Sequence, residues 1–146
     1  MKCENQFTPH IRDVITSKML DFDPLRSTWG TAGVRRAPVW NSPSGFLYWG
    51  WNTGMANQVK APTLIIRGDL DSRVPLGDLQ SLYGDLGGAQ QKVFVHVACA
   101  SHYLVWENQH MVLLQASEER LLHGTFGGQE NGSFAVDIDG GIHKDQ

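Results

Sequence analysis

Apolar residues recur along this chain with two different periods, and the switches between them mark out its elements. The run Leu64-Ile65-Ile66 lies between Pro62 and Gly68 with β-branching at Thr63, Ile65 and Ile66, which predicts a buried strand. Leu76, Leu79, Leu82, Tyr83 and Leu86 then share one helical stripe, and Gly87-Gly88 supplies its stop. Lys92 to Val97 (KVFVHV) is β-branched and aromatic and reads as a second strand. Strand, helix, strand in this order predicts a βαβ unit with parallel strands and a right-handed crossover. Residues 108–123 return to helical spacing through Met111, Leu114, Leu121 and Leu122 and end at Gly124, a helix to cover the sheet.

The flanks are patterned differently. In residues 5–22, Ile11, Val14, Ile15, Met19 and Leu20 predict a helix entered at Thr8-Pro9 and stopped at Asp23-Pro24, where proline removes a donor and bars the helical region to its predecessor. Residues 24–60 break both periods: Trp29, Trp40, Trp49 and Trp51 lie among Gly, Pro, Ser and Asn. Such rings either line an apolar pocket or hold together a region poor in regular structure, and the pattern leaves both open. Beyond Gly124 the chain is glycine-rich, although SFAVDIDGGIH alternates and Asp139-Gly140 suits a tight turn, so a short hairpin and a frayed end are both allowed. The chain thus divides into a helical and aromatic segment (1–60), an α/β core (61–124) and a tail (125–146).

Composition narrows the function classes. At 146 residues, 41% hydrophobic and 18% charged, the chain is long enough for a core and far from the signature of disorder. A net charge of -3, with Arg35-Arg36 as its sole adjacent basic pair, gives no field for nucleic acid. The N-terminus MKCENQFTPH is polar where a signal peptide is apolar, and no window approaches the roughly eighteen apolar residues of a membrane span. A cytoplasmic location without a membrane partner is therefore expected, with Cys3 and Cys99 as reduced thiols. The six histidines include no i, i+4 pair with a third ligand, so neither metal nor cofactor is expected.

Two ionisable groups stand apart because each follows the C-terminal end of a predicted parallel strand, where open α/β sheets collect their functional groups. One lies in Arg67-Gly68-Asp69-Leu70-Asp71-Ser72-Arg73-Val74-Pro75 and the other in Ala100-Ser101-His102. Together, PTLIIRGDLDSRVP and the later ASHYLVWE resemble the last two strands of the α/β-hydrolase family, whose following loops carry the acid and the histidine of a catalytic triad. The resemblance implies a partial α/β-hydrolase fold: a short, mainly parallel sheet flanked by helices behind a cap-like N-terminal segment, where RRAP is similar to some members. The family's G-x-x-D turn running into V-P falls on Gly68, Asp71, Val74 and Pro75, so Asp71 is the implied acid, ahead of Asp69. Its S-H followed by an acidic residue falls on Ser101-His102 with Glu107, so His102 is the implied base. An imidazole with a pKa near ~6.5 can take a serine proton and return it to a leaving group, provided a carboxylate fixes its tautomer.

The family's nucleophile sits in G-x-S-x-G on a strand-to-helix elbow, and no such motif occurs in these residues. Ser42, Ser44, Ser133 and Cys3 all lack the required order or context, and the glycine-rich oxyanion loop has no counterpart. The resemblance therefore implies serine-type hydrolysis of an ester, amide or similar bond as the parent activity, with a small-molecule substrate and with Trp40, Phe46, Trp49 and Trp51 as candidate substrate-binding rings. Two other expectations stand beside it: a truncated α/β domain that self-associates through the sheet edge left by missing strands, or one half of a hydrolase completed by another chain. Arg67-Gly68-Asp69 is read as a strand-end turn and Asn131-Gly132-Ser133 as an unused acceptor site.

Overall fold

The computed structural model describes Cys3, Val14, Lys18 and residues 54–145. Met1–Thr8 and Trp51–Gln146 make one compact unit, Pro9–Gly50 another. In the second unit Val14 and Lys18 are helical and exposed, while the rest of the helix expected over 5–22 and the aromatic segment up to Trp51 lie outside the described residues. The first unit contains strand β1 (Thr63–Gly68), helix α1 (Leu76–Asp85), strand β2 (Lys92–Val97), helix α2 (His110–His123), and strands β3 (Gly132–Val136) and β4 (Ile142–Lys144).

The four strands form one mixed sheet in the order β1-β2-β3-β4. β1 and β2 run parallel with Thr63 opposite Lys92 and Gly68 opposite Val97. β3 extends the parallel set beside β2, and β4 folds back antiparallel on β3. The tail is thus a hairpin built into the sheet. Its turn closes through Asp137 N–H to Gly141 O at 2.9 Å and Gly140 N–H to Asp137 O at 3.1 Å. Gly140 adopts φ 85°, which only glycine enters without a Cβ penalty.

Alternation along β2 sends its side chains to two covered faces. Val93, Val95 and Val97 face the main core with Phe126, Phe134, Val136 and Ala116, against which Val112 and Leu113 of α2 pack. Phe94, pointing the other way, meets Tyr83 of α1 with ring centroids 5.9 Å apart. β2 is therefore buried on both sides, as a run without alternation requires. β1 differs from expectation: Thr63 to Ile66 are only half-buried, because the strand lies at the edge of the described sheet.

Helix α2 also corrects the sequence reading. The side chains it buries are Ala116 and Arg120, with Val112 and Leu113 partly covered, whereas Met111, Leu114, Leu121 and Leu122 point outward. The inward stripe is 112/113/116/120, one helical step around from the leucines, and it contains a charged residue whose guanidinium turns to the Gly124 and Glu130 carbonyls. The helix ends as predicted on Gly124, in the left-handed conformation at φ 73°. A second correction concerns the cysteines: Cys3 and Cys99 form a disulfide with a Cα–Cα separation of 5.1 Å, so the expected free thiols do not exist in this structure.

Candidate active site

The C-terminal ends of β1 and β2 carry the two loops singled out above, and the path of the backbone explains why they meet. Beyond the ladder, Asp69 N–H bonds Val97 O at 3.0 Å and Leu70 N–H bonds Ala100 O at 2.8 Å, which laces one loop to the other. Gly68 makes this approach possible: a Cβ there would lie 2.2 Å from the Ala100 carbonyl oxygen. The turn is closed by Asp71 N–H to Gly68 O at 3.0 Å. Asp71 thereby sits buried between the strand ends, with 9% of its surface exposed.

Asp71 and His102 come together: His102 Nδ1 lies 3.0 Å from Asp71 Oδ2. The other carboxylate oxygen accepts the N–H groups of Arg73 at 2.8 Å and Val74 at 3.1 Å. Burial pushes the Asp71 pKa up, but the His102 hydrogen bond, the two amides and the His102 charge outweigh it and hold the carboxyl below its ordinary range. An ionised carboxylate only accepts, so His102 Nδ1 must donate and the lone pair of the neutral ring falls on Nε2. The imidazole is about half exposed, at 47% of its side chain. It borders a cleft of about 320 Å³ whose apolar lining includes Ile66, Val74, Leu79, Leu104 and Leu113.

Neighbouring groups hold this pair in ways the sequence did not show, although Glu107 was noted there as the acidic residue after Ser101-His102. Arg67, 8% exposed, reaches from β1 to donate to Asp71 O at 3.0 Å and to Val74 O at 3.4 Å, fixing the acid's turn from below. A charged residue in an otherwise apolar strand was its only signal. Glu107, 1% exposed, accepts the Ser101 N–H at 2.6 Å and the Ser101 hydroxyl, while Tyr103 N–H bonds Ser101 Oγ at 3.2 Å. Glu107 therefore staples the residue before His102. The Tyr103 ring meets His102 edge-on and stacks on Trp106, and the Arg73 guanidinium lies 5.6 Å from its centroid.

The remaining candidates lie elsewhere. Asp69 is half exposed and turns to Arg67 at 4.0 Å and His96 at 3.8 Å. Ser133 donates to Asp145 Oδ2 at 2.7 Å and lines a larger cleft of about 760 Å³ with His96, Tyr83 and Phe94, on the opposite face of the sheet from the valine core. Size alone favours that cleft, but it contains neither Asp71 nor His102. Cys3 is consumed by its disulfide and presents no thiol. Trp40, Phe46, Trp49, Trp51, Ser42 and Ser44 lie outside the described residues. Among the described residues no three His, Cys, Asp or Glu side chains are grouped to hold a metal ion, and no helix is long and apolar enough to cross a membrane. No family model, curated protein or solved structure matches the chain.

Proposed function

We propose that this chain supplies the acid and base of a serine-type α/β-hydrolase site, with His102 as general base and acid and Asp71 as its orienting carboxylate. One observation carries the reading: a buried carboxylate, held by two backbone amides, bonds His102 Nδ1 at 3.0 Å across the ends of two parallel strands. That arrangement leaves Nε2 as the basic atom beside an apolar cleft, as acyl transfer requires. The nucleophile and oxyanion donors come from a segment outside these 146 residues, in the same or another polypeptide. The substrate is a small ester, amide or similar compound. By itself the chain should hydrolyse p-nitrophenyl acetate weakly, through His102. His102→Gln should remove that activity and Asp71→Asn most of it, with no serine labelled by a fluorophosphonate. Equal rates for wild type and His102→Gln would sink the assignment.

A second reading, association without catalysis, is favoured by a different observation. β1 is an edge strand among the described residues, and Leu121 and Leu122 on α2 are 85% and 67% exposed. Unpaired strand edges and exposed apolar side chains favour pairing with another chain. A mass that stays monomeric by light scattering at high concentration would remove this reading.

A further inference from the structure

The loop that delivers His102 is covalently tied. Cys99, three residues before the histidine, is bonded to Cys3 across 96 positions of sequence. Cys99 is also the sole non-glycine residue with positive φ among the described residues, at 56°. A side chain with a Cβ enters that region at a cost and stays there when its surroundings hold it. On either side of Cys99 the backbone is pinned: Ala98 N–H bonds Val136 O at 2.9 Å, and the Ala100 carbonyl accepts Leu70 N–H at 2.8 Å. Leu70 immediately precedes Asp71. The conformation of Cys99 therefore sets where the Ala100 carbonyl points, and through it the spacing of acid and base.

We propose that the Cys3–Cys99 disulfide is a positioning device for the Asp71–His102 pair, and that its reduction uncouples them. In the oxidised chain the bond holds Cys99 in its left-handed conformation, which keeps Ala100 against the Gly68 turn and His102 within reach of Asp71. A dithiol reductant delivers two electrons and two protons to the Sγ–Sγ bond. It leaves two thiols and becomes a disulfide itself. Cys99 can then relax to negative φ, and the Ala100 carbonyl rotates away from Leu70. Asp71 loses its imidazole donor, and the site changes from a coupled acid–base pair to two separate side chains. The thiol state of the surroundings becomes a control on this site.

This inference rests on the reading of Asp71 and His102 as a functional pair, but its test needs no nucleophile. In the oxidised protein, ¹⁵N-detected histidine spectra should give His102 as the Nδ1–H tautomer with a slowly exchanging, hydrogen-bonded proton. Dithiothreitol, with two thiols counted by titration, should abolish that signal and raise the Asp71 carboxyl pKa followed by ¹³C NMR; reoxidation should restore both. Cys3→Ser should reproduce the reduced state while leaving Cys99 in place, and amide exchange in β2 should stay protected throughout. An unchanged His102 signal in both the reduced protein and Cys3→Ser overturns the proposal. So does a signal lost only together with β2 protection, since the disulfide would then be a general staple. A redox-sensitive signal without ester hydrolysis would sink the hydrolase reading and keep the device; hydrolysis indifferent to reduction would do the reverse.

Discussion

Among the described residues, two aspartate–histidine pairs have the same length. Asp71 Oδ2 lies 3.0 Å from His102 Nδ1, and Asp137 Oδ2 lies 3.0 Å from His143 Nε2. In each, the second carboxylate oxygen accepts two backbone amides, from Arg73 and Val74 at one and from Asp139 and Gly141 at the other. The difference is where they sit. Asp137 and His143 are six residues apart across a hairpin turn, with side chains 37% and 65% exposed, whereas Asp71 is 7% exposed and its partner is 31 residues away on another strand end. Water screens the hairpin pair, and local geometry alone brings it together. The buried pair needs the whole sheet. A contact distance therefore says little about chemistry until burial and placement are added.

The sharpest way to break the buried pair while sparing the hairpin is at Gly68. A Cβ there would lie 2.2 Å from Ala100 O and 2.7 Å from Ser101 N, both backbone atoms that cannot swing aside. Gly68→Ala should cost about 3 kcal/mol, the upper part of the usual range for forcing atoms into packed space. It should show as a lower urea midpoint with an unchanged slope. The His102 Nδ1–H signal should go with it, and the Asp137–His143 contact should remain. A variant as stable as wild type would mean that the two loops do not cross as closely as described.

The aspartates come next. Asp71→Asn should destabilise by about 1–3 kcal/mol, because it leaves buried partners facing a neutral amide. Asp137→Asn should cost less, since solvent replaces what is lost. Acid tests the buried aspartate further, although the Asp137 carboxyl is lowered as well. The folded Asp71 carboxyl binds its proton at lower pH than the ordinary value of 3.8, so its contribution is complete above that value and disappears as pH falls through the folded one. Glu119 behaves alike: the Gly128 amide, with Thr125 and Gly127, lowers its carboxyl pKa against burial from 4.5. Urea midpoints measured from pH 6 to about 2 should therefore decline in wild type. The decline should be shallower in Asp71→Asn and should persist through the Glu119 contribution.

What was legible in the sequence follows the same division between local and long-range causes. β1, α1, β2 and the end of α2 were readable because periodicity, proline and glycine act over a few residues, and Gly124 takes the positive φ its position suggested. Asp71 and His102 were singled out by their flanks, and the structure places them in contact. The outward turn of Leu121 and Leu122 was not readable, because α2 carries apolar residues on more than one face and its tertiary partner decides which is buried. Arg67 looked like an ordinary charge, and Glu107 stood out only as the acidic residue that follows Ser101-His102. Their roles depend on backbone groups that only the folded loops bring near. The Cys3–Cys99 link spans 96 positions and left no local trace.

The smallest effect belongs to the hairpin's own histidine, and it tests the comparison from its weaker side. His143→Gln removes the largest cause of the lowered Asp137 pKa, the His143 hydrogen bond, leaving the Gly141 and Asp139 amides in place. The Asp137 carboxyl should titrate closer to 3.8, its ordinary value, when followed by ¹³C NMR. The urea midpoint near neutral pH should not move measurably, since an exposed pair at a turn trades its contact for water. Nothing at His102 should change, because in the sheet β4 pairs with β3 alone and the acid–base pair is carried by β1 and β2. A shift in the His102 signal on this substitution would mean that the hairpin and the candidate site are coupled through β3, and that Ala98 N–H on Val136 O transmits more than it anchors.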